Sequence, residues 1–137
     1  MADTTLTRAE EILERLRREL ARARFVYAFG SVVNGSLGPE SDVDVAVDFG
    51  APLTFDARLE LTAALATAVG RKVDIVDLYA ADPIIKMQVL RYGRPLLTND
   101  LSARHAFAMN AVSEYLDLKL DRAPIEAMIA RPHALQS

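Results

Sequence analysis

Residues 42–49 alternate strictly between two kinds of side chain, and this alternation limits what the chain can fold into more than any other feature. Valine and phenylalanine occupy every second position, and aspartate or alanine occupies the positions between them. Such a two-residue period predicts a strand with one apolar and one acidic face. Asp42 and Asp44 share a face because side chains at i and i+2 of a strand project to the same side. Since two like charges held together are costly unless a cation lies between them, the pair predicts a cation site.

A glycine-rich run, Gly30–Ser41, precedes this strand and follows a short apolar segment. Gly30 lets the backbone approach a phosphate closely, and Ser31 offers both a backbone N–H and a hydroxyl. Gly35 and Gly38 would keep the following loop low enough for a triphosphate to lie across it. Mg²⁺ takes oxygen ligands and usually binds together with substrate phosphates. The turn and the carboxylate pair together predict a metal-dependent nucleotide site.

Composition excludes several classes of protein. At 137 residues the chain has the length of one domain, and 51% hydrophobic residues are enough to build a core. The net charge of −3 offers no basic surface to long nucleic acid. The absence of cysteine excludes disulfides, zinc–thiolate sites and thiol catalysis. No apolar run reaches transmembrane length and the first twenty residues are amphipathic, so we expect a cytoplasmic protein without membrane association.

The remaining patterns predict an α+β fold, a small mixed β-sheet flanked by helices. A capping box at Thr7 and Glu10 begins the first helix, and Gly70 and Gly93 end later ones. The predicted helices cover residues 8–23, 54–69, 83–92 and about 99–120, with one helical turn after Ser31; the predicted strands cover residues 25–29, 42–49 and 72–78. We expect a single domain over residues 1–120. Residues 121–137, with Pro124 and Pro132, are expected to form a C-terminal tail that is mobile or docks a partner.

Asp74 is the third candidate carboxylate. Its strand is expected beside that of Asp42 and Asp44, because helix 54–69 is a normal connection between neighbouring strands. Three carboxylates can hold two metal ions about 3.5–4 Å apart, as in many enzymes that attack a phosphorus centre. Asp42 and Asp44 would bridge both ions. Asp74 would ligate the ion that activates the attacking hydroxyl and would act as its general base.

Other polar residues are better explained as structural. Asp48 and Asp77 are expected to be solvated or strand-terminal, and Ser41 to cap or brace the turn before Asp42. Four basic residues could neutralise phosphate charge but fit a solvated surface better: Arg71, Lys72, Arg91 and Arg94. Tyr115 and Leu116 suit a core or an interface. His105 is a helix residue, and both His105 and His133 lie outside the motif region.

The segment GSVVNGSLGPESDVDVAV resembles the GS-x10-D-x-D signature of the DNA polymerase β-like nucleotidyltransferase superfamily. The short length, the KVDIVDL strand and the PIIKMQVLRYGRPLL segment are similar to the minimal nucleotidyltransferases, which include the MntA-type antitoxins paired with HEPN-domain (HepT) toxins. The resemblance covers residues 25–100 closely and the helical C-terminus more loosely. It implies a small mixed sheet flanked by helices.

By this resemblance, Gly30 and Ser31 match the phosphate-binding pair, Asp42 and Asp44 the metal-binding pair, and Asp74 the third carboxylate. The implied activity is that of a type VII antitoxin: with Mg²⁺, it transfers AMP from ATP to a tyrosine of a HEPN-domain RNase toxin and silences it. One departure concerns the loop. Many members carry an arginine in a GSxARG sequence, whereas this chain has Val32-Val33-Asn34, so a triphosphate contact is missing or comes from elsewhere.

Three other functions stay open at this point. A binding module would neutralise a toxin by masking it, with catalysis vestigial or unused. An antibiotic-type, small-molecule nucleotidyltransferase usually adds an acceptor-binding domain, for which we find no sequence, although a dimer could supply one. Polymerisation on a nucleic-acid primer is disfavoured by the acidic charge balance and by missing primer-binding segments.

Overall fold

In the computed structural model, which describes residues 7–129, helices and strands follow each other in a mixed order. The helices are α1 (Arg8–Glu19), α2 (Ser31–Asn34), α3 (Phe55–Val69), α4 (Pro83–Tyr92) and α5 (Leu101–Ile129). The strands are β1 (Phe25–Phe29), β2 (Val43–Asp48), β3 (Val73–Asp77) and β4 (Arg94–Thr98). The predicted α+β class is confirmed.

Local capping residues explain where the helices begin. The Thr7 hydroxyl accepts from the Glu10 N–H and the Glu10 carboxylate accepts from the Thr7 N–H, both at 3.1 Å, so the capping box is confirmed. Thr54 and Asp82 cap α3 and α4 with a single hydrogen bond each, accepted from the N–H groups of Ala57 and Ile85. Helix α1 ends at Glu19, earlier than its predicted end at residue 23. The apolar pattern continued further because Leu20 and Ala23, in the turn leading into β1, are buried.

Four strands form one sheet in the order β3-β2-β1-β4. Strand β1 pairs antiparallel with β2 and with β4, whereas β2 and β3 are parallel. Helix α3 makes the crossover between the parallel pair, as expected for a connection of this kind. The prediction that the Asp74 strand lies beside the Asp42–Asp44 strand is therefore confirmed.

Strand β4 was not predicted. Its sequence, RPLLT, contains a proline, and Pro95 cannot donate to a ladder. Only Leu96 is buried, and the register with β1 shifts between Val26 and Tyr27. An edge strand tolerates both irregularities because one side of it has no partner strand. The sequence therefore lacked the alternation that marked the inner strands.

The two faces of the sheet are covered by different helices. Helices α1, α2 and α3 pack on one face, where the valines of β2 join a core with Leu16 and Leu65. Helices α4 and α5 pack on the other face, over Phe25, Tyr27 and Ala46. The predicted acidic face of β2 is thus only partly acidic: its centre is apolar core, and the end near Asp42 and Asp44 is left more open.

Asp48 is the last residue of β2, as predicted, but it is buried rather than solvated, with 3% of its surface exposed. Its Oδ1 accepts from the Arg24 Nε at 2.7 Å and from the Gly50 N–H at 2.8 Å. In turn, the hydrogen bond that Arg24 donates to Asp48 raises the pKa of Arg24 above its ordinary value. A buried charge is tolerated when it is paired in this way, and the pair ties the start of β1 to the end of β2.

Helix α5 runs to Ile129, nine residues past its predicted end at Leu120. Pro124 was expected to stop the helical pattern, but a proline removes only one backbone donor and here the helix continues on both sides of it. The docking role of the tail stays a prediction, and residues 130–137 lie outside the described part of the chain. Within residues 7–129, none of the helices has the length and apolar character to cross a membrane.

We expect Asp48→Ala to lower the free energy of unfolding by about 2 kcal/mol, because it removes a charge-assisted hydrogen bond and leaves the partner N–H groups without an acceptor. Chemical denaturation followed by circular dichroism measures the change. Glu60→Ala, on the exposed side of α3, is the matched control and should stay within about 0.5 kcal/mol of the original chain. Equal stability of the two variants would contradict a structural role for the Asp48 pair.

Candidate active site

The parallel pairing of β2 with β3 brings the predicted carboxylates together. The Cα of Asp44 lies directly opposite the Cα of Asp74 in the ladder. Asp42 comes one residue before β2 and shares a strand face with Asp44. Asp42 and Asp74 are exposed, and Asp44 is partly buried. Within the described residues, none of the three forms an ion pair with a lysine or arginine.

The charges of these three side chains interact. The pKa of Asp44 is raised above its ordinary value, first by burial, then by the charge of Asp74 and then by that of Asp42. Each cause disfavours the ionised form, because burial removes water and like charges repel. Perturbed carboxylates of this kind are often found at functional sites.

Gly30 lies against the central carboxylate. Phe29 pairs with Asp44 in the antiparallel ladder, so the turn that follows β1 begins beside this side chain. A Cβ at position 30 would lie 2.7 Å from Asp44 Oδ2. The φ and ψ angles of Gly30, 79° and −151°, also belong to a region that only glycine adopts readily. The predicted phosphate-binding turn therefore lies next to the predicted metal ligands in the structure.

The four-residue helix α2 follows this turn. The Gly30 carbonyl accepts from the N–H groups of Val33 and Asn34, both at 3.1 Å. Ser31 is partly buried at the start of the helix, and Val32 belongs to the core. The Asn34 side chain accepts from the Ser36 N–H at 3.0 Å, so it closes the end of the turn. This part of the loop contributes no positive charge.

The loop from Gly38 to Ser41 is held by a residue whose role the sequence did not reveal. Arg71 Nη1 donates to the carbonyl of Gly38 at 2.6 Å and to that of Ser41 at 3.0 Å. The expectation that Arg71 is a solvated surface residue is therefore wrong for this structure, and its contact with phosphate stays a prediction. The prediction that Ser41 braces the turn is confirmed, since its hydroxyl accepts from the Gly38 N–H at 2.8 Å. The Arg71 contact could be predicted only from the pairing of β2 with β3, because the residues involved are far apart in the sequence.

The remaining polar candidates lie elsewhere or have structural contacts. Asp77 ends β3 and accepts from the N–H groups of Leu53 and Tyr79, at 2.9 and 3.1 Å. Lys72 is exposed immediately before β3, and Arg94 is exposed on the edge strand.

The remaining candidate residues from the sequence lie on helices α4 and α5. Arg91 lies over the ring of Tyr92, with its guanidinium carbon 5.6 Å from the ring centroid. Tyr115 lines a groove between the two helices together with Arg91. Leu116 is 53% exposed, so it is not a core residue, and His105 is exposed on α5. His133 lies outside the described residues.

The carboxylates suit Mg²⁺ by their chemistry but are not gathered around a single point. Among residues 7–120, whose side chains the structure describes, no three acidic or imidazole side chains are close enough, as they stand, to hold a metal ion. Asp42 and Asp74 are exposed and are therefore free to change rotamer. The set is made only of oxygen donors, and within the described residues it forms no ion pair with a basic side chain. Its like charges help to raise the pKa of Asp44. A hard divalent cation would relieve that repulsion.

The part of the chain that contains this site is similar to known proteins. A family model described as polymerase beta, nucleotidyltransferase matches residues 10–102. Among curated proteins, the protein adenylyltransferase MntA of Shewanella oneidensis is 33% identical over 115 residues, which cover 84% of this chain and 82% of that protein.

Solved structures support the same fold. The chain superposes with a TM-score of 0.74 on a chain of a crystal structure of a toxin–antitoxin with AMP-PNP, with 31% identity and coverage of 90% of this chain and 98% of the other. A chain from the complex of a tri-AMPylated Shewanella oneidensis HEPN toxin with an MNT antitoxin gives a TM-score of 0.68. The identity there is 29%, and the match covers 90% of this chain and 97% of the other.

We expect Gly30→Ala to lower the free energy of unfolding more than Gly35→Ala, because both positions have positive φ but only position 30 also meets the Asp44 carboxylate. The matched control, Gly35→Ala, should cost about 1–2 kcal/mol from backbone strain alone. Repeating both substitutions in an Asp44→Ala background separates the two causes. The cost at position 30 should fall there, and an unchanged cost would refute the contact.

We expect Asp44→Asn to raise the melting temperature at neutral pH without metal, because the Asp44 pKa is higher in the folded than in the unfolded chain. Between those two pKa values the folded chain binds more protons, so its stability falls as the pH rises. The gain should vanish at a pH where Asp44 is protonated in both states. Thermal unfolding in EDTA over a pH series tests this, and a variant less stable than the original at neutral pH would contradict it.

Proposed function

The chain belongs to the polymerase β nucleotidyltransferase family, and from that premise we propose that it is a protein adenylyltransferase acting as the antitoxin of a HEPN-domain toxin. It transfers AMP from ATP to the toxin and so neutralises it. The observation that carries the proposal is the register that sets Asp44 beside Asp74 and against Gly30. The relatives described above, an adenylyltransferase and an antitoxin bound to an AMPylated HEPN toxin, support the choice of reaction and partner. Because ATP is the substrate, the proposal includes a cytoplasmic location.

In this proposal, Asp42, Asp44 and Asp74 hold two Mg²⁺ ions. When bound, Mg²⁺ offsets the charge of the triphosphate and makes the acceptor hydroxyl easier to deprotonate. Gly30 and Ser31 bind the phosphates, the first through close approach of its backbone and the second through its hydroxyl. Asn34 carries no charge, so the loop contacts phosphate by hydrogen bonds alone.

The proposed acceptor is a tyrosine hydroxyl of the toxin. Its oxygen forms a bond to the α-phosphorus of ATP, and the bond from that phosphorus to the oxygen bridging the β-phosphorus breaks. Pyrophosphate leaves, and the hydroxyl proton passes to the Asp74 carboxylate. The exposure of Asp74 fits an acceptor that approaches from outside the chain.

The second candidate function is a binding module that masks the toxin without chemistry. The uncharged Val32-Val33-Asn34 segment favours it, because a site with fewer phosphate contacts binds ATP less well. The three neighbouring carboxylates, whose mutual repulsion raises the pKa of Asp44, argue against it. A transferase that acts on a small molecule is the third candidate.

Intact-mass analysis of the toxin distinguishes these candidates. The product of the neighbouring gene, as the candidate toxin, is incubated with the protein, ATP and Mg²⁺, and its mass is measured before and after. A gain of one or more AMP units supports the adenylyltransferase. Neutralisation of the RNase with no gain in mass supports the masking module. The absence of both binding and modification would direct the search to small-molecule acceptors.

We expect Asp44→Asn and Asp74→Asn each to slow AMP transfer by at least about a hundredfold, because a lost ligand should cost no less than the loss of a group that only orients a ligand. Ser31→Ala should slow it about tenfold, since one hydrogen bond is lost and the backbone remains. The control is Asp56→Asn, at the start of α3 and the opposite end of β2. A carboxylate variant that keeps full activity would refute the site, and equal losses for Ser31→Ala and Asp44→Asn would refute the ranking.

A further inference from the structure

Arg71 connects two segments that carry candidate metal ligands. It follows Gly70, the C-cap of α3, and precedes β3 by two residues. Its guanidinium reaches back along the chain to the Gly38–Ser41 turn, which lies 30 to 33 residues earlier. One nitrogen, Nη1, donates to both carbonyls of that turn, at 2.6 and 3.0 Å. Hydrogen bonds from a charged donor are stronger than those between neutral groups.

The turn itself is closed by its own residues. The Gly38 N–H donates to the Ser41 hydroxyl at 2.8 Å, and the Ser41 N–H donates to the Gly38 carbonyl at 3.2 Å. The Gly38 carbonyl therefore accepts from both the turn and Arg71. A glycine-containing loop between two ordered elements loses much conformational freedom on folding. These four contacts restrain it to one shape.

Asp42 lies between two contacts to consecutive residues of the other segment. On its N-terminal side, the Ser41 carbonyl accepts from Arg71. On its C-terminal side, the Val43 N–H donates to the Lys72 carbonyl at 2.9 Å. The backbone of Asp42 is thus fastened on both sides to residues 71–72. Asp74 lies two residues further along that same segment.

We infer that Arg71 is a positioning residue, which fixes the distance between Asp42 and Asp74 by holding the Gly38–Ser41 turn. The inference rests on the proposed function for the role of the two carboxylates. Arg71 does not touch the substrate in this scheme. A contact with phosphate is the competing role for the same side chain, and it predicts different kinetics.

Hydrogen–deuterium exchange tests the restraint without any use of activity. The amides of residues 40–43 should exchange faster in Arg71→Met, which keeps a flexible, unbranched apolar side chain but removes the guanidinium donors. Arg17→Met is the matched control, because Arg17 donates to the Leu96 carbonyl on the opposite edge of the sheet. It should leave exchange at residues 40–43 unchanged. Unchanged exchange in Arg71→Met would overturn the inference, whatever the protein's activity.

Metal binding tests the consequence for the site. Calorimetric titration with Mg²⁺ alone should show affinity reduced about tenfold in Arg71→Met, the lower end of the effect of groups that orient metal ligands. Arg71→Lys, which keeps a charged donor, should restore part of it. In AMP transfer, the Mg²⁺ requirement should rise with little change in the KM for ATP. A higher KM for ATP with unchanged Mg²⁺ affinity would instead assign Arg71 to phosphate and overturn the inference.

Ser41→Ala provides a second route if Arg71→Met does not fold. It removes the hydroxyl that accepts from the Gly38 N–H, and it leaves Arg71 in place. It should change exchange at residues 40–43 and Mg²⁺ affinity in the same direction but less. Faster exchange at residues 40–43 with unchanged Mg²⁺ affinity would overturn the inference, because a looser turn would then leave the two carboxylates unaffected. Wild-type protein that shows protected residues 40–43 but no AMP transfer would reject the proposed function and leave the restraint intact.

Discussion

The parallel pairing of β2 with β3 is the constraint on which the rest of the site depends. An aligned ladder places residues of equal register side by side, and here it sets one aspartate beside another. Parallel pairing requires a crossover, which α3 provides while covering one face of the sheet. A slip of one residue would turn the acidic side chains of β2 into the apolar core. The hydrophobic pattern of β2 therefore fixes the strand register and, with it, the positions of the aspartates.

Local patterns in the sequence were enough for most elements. The capping residues Thr7, Thr54 and Asp82 and the terminal glycines act within one turn, so their signals can be read from neighbouring letters. The alternation of β2 was equally plain. Strand β4 escaped because Pro95 and an exposed arginine obscure its pattern, and its strand identity comes from pairing with β1. Pro124 led to the opposite error: the predicted helix ended too early, although a helix can continue past a proline.

Residues of the same type in one strand proved harder to separate. Asp42, Asp44 and Asp48 all occupy the same face of β2 by period, yet one of them is a buried structural residue. What distinguishes Asp48 is Arg24, a partner that antiparallel pairing brings from the start of the preceding strand. The role of Arg71 was hidden for a similar reason. Long-range contacts decide which charges are satisfied by the protein and which are left for a ligand.

Gly30 and Asp44 occupy adjoining space, although fourteen positions separate them along the chain. A side chain at position 30 and a carboxylate in its present place at position 44 exclude each other, so the two positions cannot be varied independently. A substitution of Gly30 by alanine requires the carboxylate at position 44 to move or to be replaced. A longer acidic side chain at position 44 would in turn collide with the Gly30 turn. The residue at position 30 therefore indicates whether a related protein keeps this site. A homologue with a β-carbon there should have a rearranged site or none.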